Sequence, residues 1–353
     1  MNFVLFCKNN YAYGILEPIT KVLEKRNHKW IWYIHNKNIN SFLYKSENFT
    51  NNISDIINFK SDVILVPGNE VPHYLKGLKT QIFHGLAGEK KGHFKIRDYF
   101  DLYLTQGPYF TKKFNELKSI HKNFEVIETG WSKLDLYNQN KNSCNLEKQN
   151  ILRKYKKKYI IIYAPTFSPK LTSAPDLLFK LKSLIETNKN YLLFIKFHPL
   201  MAEKWVHLYK NLAKNSKNII FKEEKNIIKF LLMADILISD TSSVIYEFLL
   251  LDKPVITFNN ISKTIHWENS CNFNDLDFLI KNNLENDPYA KYRNQIYNEF
   301  HPYSDGKSSL RMIKATEIYI KKHGIPSKRK LPIHRKLKIY SKFGIPKINK
   351  WKN

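Results

Sequence analysis

Short, continuous apolar runs alternate with amphipathic stretches along most of this chain of 353 residues. This alternation constrains the fold more than any other feature. Runs such as 62–67 (DVILVP) and 192–197 (LLFIKF) carry few polar residues, as is typical of parallel strands that are buried on both faces. The stretches between such runs, for example 174–187 and 202–214, have helical periodicity. Strands that alternate with helices of this length predict right-handed βαβ units in doubly wound sheets.

A polar, Asn-rich segment at residues 138–157 separates two such series and predicts a linker. The length also favours two domains, at about 150 residues each. We therefore expect an α/β protein with a Rossmann-like domain at 1–145 and a second at 146–320, facing each other across a cleft. The remaining segment, 321–353, contains 12 Lys or Arg and no acidic residue, and it predicts a separate basic tail.

The net charge of +27 favours anionic partners, namely phosphorylated small molecules, an acidic membrane surface or nucleic acid. In the basic tail, Leu, Ile, Phe and Trp are interspersed among the cations, which is typical of segments that bind an anionic bilayer. A solvated tail is the alternative. No RRM, KH or zinc-finger signature accompanies the charge, so we do not expect nucleic acid as a partner.

Composition excludes several other classes. Hydrophobic residues form 43% of the chain, which rules out global disorder. The three cysteines form no CxxC motif, which argues against a disulfide framework or a zinc knuckle and favours a reducing compartment. The N-terminus predicts a strand rather than a signal peptide, and no apolar run approaches the ~18 residues of a membrane span. We therefore expect a cytoplasmic protein.

Histidines follow two of the predicted strands. His84 and Gly85 come directly after residues 80–83, and His198 follows Lys196 and Phe197 in the second half. Ligands of open α/β sheets bind at the carboxyl ends of the strands, where both histidines are expected to lie. His84 suits a general base for a hydroxyl, and His198 could hold a phosphate oxygen. Each motif alone is also compatible with a structural histidine.

A hydroxyl-rich turn links the predicted strand 236–239 to a helix that begins near residue 243. Backbone N–H groups at a helix start bind anions, and hydroxyl groups add donors. Simple N-capping explains one such residue, but four polar residues in a row exceed what a cap requires. The predicted phosphate-binding residues are Asp240, Thr241, Ser242 and Ser243. Lys307 and Arg311, four residues apart on one face of a later predicted helix, could add charge to the same cleft.

Six motifs stand in a fixed order along residues 80–315. They are His84-Gly85, Gly130-x-x-x-x-Asp135, Tyr163-Ala164-Pro165-Thr166, Lys196-x-His198-Pro199, Asp240-x-Ser242-Ser243 with Glu247 and Lys253-Pro254, and Asp305-Gly306-x-x-x-x-Arg311. In this order they resemble the CDP-glycerol glycerophosphotransferase family, the primases and polymerases of wall teichoic acid. The resemblance implies a GT-B-like fold with two facing Rossmann-like domains, and a transfer that needs no metal or cofactor.

The resemblance also implies roles for individual residues. His84 would deprotonate the acceptor hydroxyl, and His198 would lie near the pyrophosphate of a CDP-glycerol donor bound mainly to the second domain. Substrate-binding roles are implied for Gly85, Thr166, Lys196, Asp240, Thr241, Ser242, Ser243, Glu247, Lys307 and Arg311. The expected reaction transfers glycerol phosphate, or a related polyol phosphate, to a lipid-linked saccharide and releases CMP. Such an enzyme would serve teichoic acid, capsule or lipopolysaccharide synthesis on the inner face of the plasma membrane, held there by the basic tail.

Three alternatives remain open from the sequence. A GT-B glycosyltransferase that uses a nucleotide sugar would share the fold and the phosphate-binding turn, although the paired histidine motifs favour phosphoryl transfer. A relative of the sugar-nucleotide 2-epimerases would need carboxylates at the sugar carbon. A non-catalytic binder of anionic lipid or nucleic acid is suggested by charge alone. The sequence does not separate CDP-glycerol from CDP-ribitol.

Overall fold

The computed structural model describes residues 1–86, 92–224, 227–263, 265–327 and 329–346. These residues form two all-parallel sheets flanked by helices, as the alternating pattern predicted. The chain divides into two compact units. Unit 1 comprises Met1–Asn138 and Phe300–Asn353, and unit 2 comprises Gln139–Glu299.

The described part of unit 1 contains a seven-stranded sheet of order β3-β2-β1-β4-β5-β6-β7. Its strands are β1 (Asn2–Cys7), β2 (Lys29–Ile34), β3 (Phe49–Thr50), β4 (Val63–Val66), β5 (Leu78–Gln81), β6 (Leu102–Thr105) and β7 (Glu125–Glu128). Its helices include α1 (Tyr13–Lys25), α2 (Ile53–Asn58) and α3 (Pro108–His121). The strand order reverses direction between β1 and β4, and ligands of such sheets bind at this switch point.

The described part of unit 2 contains a six-stranded sheet of order β10-β9-β8-β11-β12-β13. Its strands are β8 (Tyr159–Tyr163), β9 (Tyr191–Ile195), β10 (Ile219–Phe221), β11 (Ile236–Ser239), β12 (Val255–Phe258) and β13 (Glu268–Ser270). Its helices include α5 (Ala174–Thr187), α6 (Glu203–Lys214), α7 (Ile228–Met233), α8 (Val244–Leu249) and α9 (Leu276–Glu285). The switch point of this sheet lies between β8 and β11.

The predicted linker is a helix. Residues 138–157 belong almost entirely to α4 (Asp135–Tyr155), and the chain passes from unit 1 to unit 2 within it. Leu136, Cys144 and Leu152 are buried, but most other positions of the helix are exposed or half-buried. The polarity of the segment therefore reflects its exposed face rather than an irregular conformation.

The borders of the two units differ from the predicted domain borders. The chain returns to unit 1 at the end of α10 (Ala290–Phe300) rather than at residue 320. Residues 300–320 belong to unit 1 because α11 (Ser308–His323) packs against α1, and the carboxylate of Asp135 accepts hydrogen bonds from the first amides of α11. Unit 1 is therefore built from both ends of the chain.

The described part of the basic tail packs on unit 1 instead of extending from it. Helix α12 (Ile333–Phe343) buries Ile339 and Phe343 in the apolar core of unit 1, together with Leu331 from the preceding loop. The hydroxyl of Tyr74 donates a hydrogen bond to the Gly344 carbonyl at 2.9 Å. Lys328 and residues 347–353 of the predicted tail lie outside the described residues. No helix in the described part of the chain has both the length and the apolar character needed to cross a bilayer.

Candidate functional site

His84 lies at the carboxyl edge of the unit 1 sheet, beside its switch point. The exposed imidazole follows β5, its Nδ1 is 3.3 Å from the Pro67 carbonyl after β4, and its ring lies 5.3 Å from that of Tyr11 after β1. A carbonyl oxygen only accepts hydrogen bonds, so this contact places the proton of the neutral ring on Nδ1. Nε2 then carries the lone pair, as a general base requires.

The backbone that follows His84 is also tied to the sheet. Gln106 is a fully buried residue just after β6, and its side-chain amide donates a hydrogen bond to the Gly85 carbonyl at 2.9 Å. Gly85 was predicted as a substrate contact, and the structure places it next to His84 with its carbonyl bound within the protein. The position of His84 is thus set by residues that follow β1, β4 and β6.

His198 lies at the carboxyl edge of the unit 2 sheet, three residues beyond β9. Its Nδ1 accepts a hydrogen bond from the Leu200 amide at 3.1 Å, and its exposed ring stacks on Phe167 with centroids 4.4 Å apart. An amide N–H only donates, so in the neutral ring the proton is on Nε2. His198 therefore presents an N–H donor, the opposite of the arrangement at His84.

Lys196 places a buried cation next to His198. Its side chain is almost fully buried, and its Nζ donates to the Phe197 carbonyl at 3.1 Å. Burial lowers the pKa of Lys196, while the carboxylate of Glu224 acts in the opposite direction. A buried ammonium group at a strand end favours an anion there.

Asp240 organises the hydroxyl-rich turn of unit 2 from within. The carboxylate is fully buried and accepts hydrogen bonds from the Thr166 amide at 2.7 Å, the Ser173 amide at 2.9 Å and the Ser173 hydroxyl at 3.0 Å. Burial raises the pKa of Asp240, although these bonds act to lower it. The carboxylate ties the turn after β11 to the loop after β8, so it joins the two sides of the switch point. Asp240 and Thr166, predicted to bind substrate, thus bind each other.

The rest of the turn is less tightly held. The Thr241 hydroxyl accepts from the Ile261 amide at 3.4 Å and the Ser242 hydroxyl from the Val244 amide at 3.5 Å, both long hydrogen bonds. Ser243 is the N-cap residue of α8, but its side chain makes no capping bond. Glu247 is buried within α8. N-capping therefore accounts for little of this hydroxyl cluster.

Lys307 and Arg311 lie in unit 1, whereas the hydroxyl-rich turn lies in unit 2. The Arg311 guanidinium donates to the Thr129 carbonyl and to Asp305, each at 2.8 Å, and lies 4.1 Å from the ring centre of Tyr303. The exposed Lys307 belongs to the same loop. Within unit 1, this last sequence motif therefore binds the loop that begins at Thr129.

Several structurally important residues were not predicted. His301 is buried and its Nε2 accepts a hydrogen bond from the Trp131 amide at 2.9 Å. Burial and the nearby Arg311 lower the pKa of His301 to about 4, so the ring is neutral at pH 7. Phe167, whose ring stacks on His198, and Ser173, which donates hydrogen bonds to Asp240, were also missed. The only signal in the sequence for Phe167 is that it directly follows Thr166. Among the described residues, no group of three or more His, Cys, Asp or Glu side chains has a metal-binding arrangement.

The family model and the most similar sequences agree on one family. Residues 77–263, just over half of the chain, match the family model described as CDP-Glycerol:Poly(glycerophosphate) glycerophosphotransferase. A teichoic acid glycerol-phosphate primase of Bacillus spizizenii is 38% identical over 123 residues, which is 35% of this chain and 30% of the primase. A teichoic acid poly(glycerol phosphate) polymerase of the same organism is 26% identical over 286 residues, covering 71% of this chain and 66% of the polymerase. The chain thus spans at most about two thirds of these two relatives.

Solved structures show the same fold. The wall teichoic acid polymerase TagF matches with a TM-score of 0.67 at 18% identity, covering 91% of this chain and 89% of the other. The S. aureus MnaA–UDP structure matches with a TM-score of 0.66 at 16% identity over 93% of this chain and all of the other. At these identities the matches concern the fold alone, a GT-B-like pair of parallel-sheet α/β domains.

Proposed function

Because this chain belongs to the CDP-glycerol:poly(glycerophosphate) glycerophosphotransferase family, we propose that it transfers glycerol phosphate, or a related polyol phosphate, from a CDP-linked donor. The acceptor is a hydroxyl group of a lipid-linked saccharide in teichoic acid synthesis, and CMP is released. One observation supports this function best: His84 is bound through Nδ1 to a carbonyl and His198 through Nδ1 to an amide. The protein therefore carries one histidine suited to accept a proton and another suited to donate a hydrogen bond.

In the proposed reaction, Nε2 of His84 takes the proton of the acceptor hydroxyl. The acceptor oxygen attacks the phosphorus that carries glycerol, forming a new P–O bond while the bond to the CMP oxygen breaks. Phosphoryl transfer of this type depends on positioning and charge stabilisation more than on covalent catalysis. The attachment of His84 to the switch point, through Pro67 and Tyr11, supports such positioning.

Unit 2 supplies the donor side of this proposal. The N–H of His198 at Nε2 would donate to a pyrophosphate oxygen, and the cation of Lys196 would offset its charge. Ser242 and Ser243 add hydroxyl donors. The buried carboxylate of Asp240 holds their turn in place through its hydrogen bonds with Thr166 and Ser173. Asp240 itself therefore acts as a scaffold rather than as a ligand.

The test is CMP release from CDP-glycerol by the purified protein, with and without a lipid-linked saccharide acceptor. We expect release that depends on the acceptor and falls by about 10²–10⁴-fold in His84→Ala, the usual contribution of a general base. A phosphodiester-containing product would exclude glycosyl transfer. Turnover of a nucleotide sugar in place of CDP-glycerol would overturn the proposal and keep the fold. CDP-ribitol, assayed in parallel, identifies the polyol.

We also propose that α12 brings unit 1 to an anionic bilayer. Its inner face is buried in unit 1, but Ile333 and Leu337 on its outer face are 75% and 62% exposed. They lie one turn apart among cationic side chains, as in helices that bind at the membrane interface. The double substitution Ile333→Asp/Leu337→Asp should abolish sedimentation with vesicles of phosphatidylglycerol. Phe179→Asp, which changes a 74% exposed residue of α5 in unit 2, is the control. Unchanged sedimentation of the double variant would reject this role.

A further inference from the structure

The residue before His84 has a backbone conformation that a phenylalanine rarely adopts. Phe83 has a φ of 60°, in the left-handed region where a bulky side chain is strained. Such strain persists only where surrounding contacts enforce it, and it often occurs next to catalytic groups. The contacts that enforce it here identify the residues that place His84.

Two sets of contacts hold Phe83. Its ring is buried and lies 5.0 Å from the ring of Phe114 and 5.4 Å from that of His93, nearly parallel to the latter. Its carbonyl accepts a hydrogen bond from the indole N–H of Trp131 at 3.3 Å. That carbonyl belongs to the peptide bond that joins Phe83 to His84. The hydrogen bond from the indole therefore constrains the orientation of this peptide plane, and with it the direction of the His84 side chain.

Trp131 is itself held from the opposite side. The indole is fully buried, and the backbone amide of Trp131 donates to His301 at 2.9 Å. His301 adjoins Tyr303, and Arg311 lies over the Tyr303 ring. A continuous chain of contacts therefore runs from α11, through Trp131, to the peptide before His84.

We propose that Trp131 is a positioning residue for His84, acting through the strained peptide of Phe83. This inference rests on the proposed role of His84 as the base. When the indole N–H is removed, the Phe83–His84 peptide turns toward a relaxed conformation and the Nδ1 contact with the Pro67 carbonyl weakens. His84 then approaches the acceptor hydroxyl in a poorer geometry, although no substrate contact has been lost.

The test compares Trp131→Phe with Trp32→Phe. Trp32 lies in β2 of the same unit, is equally buried and donates its indole N–H to the carboxylate of Glu47 at 2.6 Å, so both variants lose a buried indole and its hydrogen bond. We expect Trp131→Phe to lower kcat by roughly 10–100-fold, the cost of a small misplacement, with KM for the donor changed less than about twofold. Trp32→Phe should keep kcat within about twofold while lowering the melting temperature by at least as much as Trp131→Phe, because its lost hydrogen bond is to a carboxylate.

A readout without turnover separates this inference from the proposed function. The ¹⁵N chemical shifts of the His84 ring, assigned with His84→Gln, report which nitrogen carries the proton. They should show an Nδ1–H ring in the wild type and in Trp32→Phe, and a tautomer mixture in Trp131→Phe. An inactive wild type would refute the proposed function but leave this spectral test intact. Identical ring shifts and kcat in all three proteins would refute the positioning role.

A second pair of variants addresses the case in which Trp131→Phe does not fold. Phe83→Gly and Phe83→Ala both remove the ring, but only alanine is strained at a φ of 60°. If the backbone conformation places His84, Phe83→Gly retains a kcat at least several-fold above that of Phe83→Ala. Equal kcat values would show that the strained conformation has no such role.

Discussion

Each of the two units places one histidine at the carboxyl edge of its parallel sheet. Nδ1 of the ring faces a hydrogen-bond acceptor in unit 1 and a hydrogen-bond donor in unit 2. In unit 1, the Pro67 carbonyl faces Nδ1 of His84, whereas in unit 2 the Leu200 amide faces Nδ1 of His198. The first partner can only accept and the second can only donate, so in the neutral rings Nε2 carries a lone pair in His84 and a proton in His198. In the proposed reaction, this difference suits His84 to accept a proton and His198 to donate a hydrogen bond.

The units also differ in how they hold the surrounding turn. Unit 1 uses neutral donors, the side chains of Gln106 and Trp131, to fix a strained backbone around His84. Unit 2 uses the buried carboxylate of Asp240, which accepts three hydrogen bonds and joins the loops after β8 and β11. Strain is tolerated in unit 1 because several residues far apart in sequence enforce it.

The sharpest test of this comparison is the same substitution at both histidines. Glutamine keeps an N–H donor near the position of Nε2 but has no basic nitrogen. His84→Gln should therefore lower kcat by about 10²–10⁴-fold. His198→Gln should retain kcat within about tenfold of the wild type, because the donor survives. Steady-state CMP release with CDP-glycerol measures both.

His198→Ala serves as the control for this pair. It removes the donor as well as the ring, and loss of one such donor typically costs about 10²–10³-fold in kcat. Equal losses in His84→Gln and His198→Gln would show that the two histidines do not have opposite roles. A His198→Gln variant as impaired as His198→Ala would show that imidazole itself is required in unit 2.

A glycine in unit 1 gives the next largest effect. Gly130 has a φ of 81°, and an added Cβ would lie 2.5 Å from the Ser308 hydroxyl and 3.0 Å from Nε2 of His301. Gly130→Ala should lower the free energy of unfolding by roughly 2–4 kcal/mol, since strain and collision combine. Gly14→Ala is the matched control, because Gly14 lies in α1 and a Cβ there would meet no atom within 4 Å.

We expect Gly14→Ala to stabilise the protein by about 0.5–1 kcal/mol, as a helical alanine does. Denaturant unfolding, followed separately by activity and by circular dichroism, measures both variants. If Gly130→Ala were as stable as the wild type, the loop from Thr129 to Asp135 would not be the rigid link between α11 and His84 that the contacts describe.

Much of the fold was predictable because buried parallel strands are continuously apolar. The predicted strand 236–239 coincides with β11, and the apolar runs 62–67 and 192–197 overlap β4 and β9. Edge strands β3 and β13 were missed because they are short and carry no apolar run. The sequence of α4 predicts a linker instead of a helix because few of its residues are buried. Sequence periodicity reports burial, and it fails where an element is mostly exposed.

The candidate site was predictable only in part. His84 and His198 follow predicted strands, so their places near strand ends could be read from the sequence. Their orientation depends on partners that local patterns do not reveal. Trp131 contacts Phe83 across 48 residues, Asp240 contacts Ser173 across 67, and Arg311 contacts Thr129 across 182. The contact of Arg311 with Thr129 could not be predicted, since motif order says nothing about which loops pack together.

A smaller effect than that of Gly130→Ala is expected at the docked tail, a feature that unit 1 has and unit 2 lacks among the described residues. Glu70, in the loop after β4, pairs with Lys8, Lys338 and Lys342 at 2.6–2.7 Å. Burial alone would raise the pKa of Glu70, but hydrogen bonds from these lysines outweigh it and lower the pKa to about 2. Because the pKa is lower in the folded state, the stabilisation is present above about pH 4.5, the ordinary pKa. It is lost as pH falls toward 2.

Glu70→Gln should therefore lower the free energy of unfolding by about 1–2 kcal/mol at pH 7, a modest value because the lysines are partly exposed. The difference from the wild type should shrink between pH 4.5 and pH 2, as the carboxylate of the wild type becomes protonated. The control is Glu186→Gln in unit 2, where an exposed carboxylate pairs with Lys182 at 3.9 Å and contributes little. Limited proteolysis should cleave α12 faster in Glu70→Gln but not in Glu186→Gln, because the ion pairs of Glu70 with Lys338 and Lys342 hold α12 on unit 1. Equal cleavage in both variants would mean that the apolar contacts of Ile339 and Phe343 suffice to dock the tail, and that the ionic contacts are dispensable.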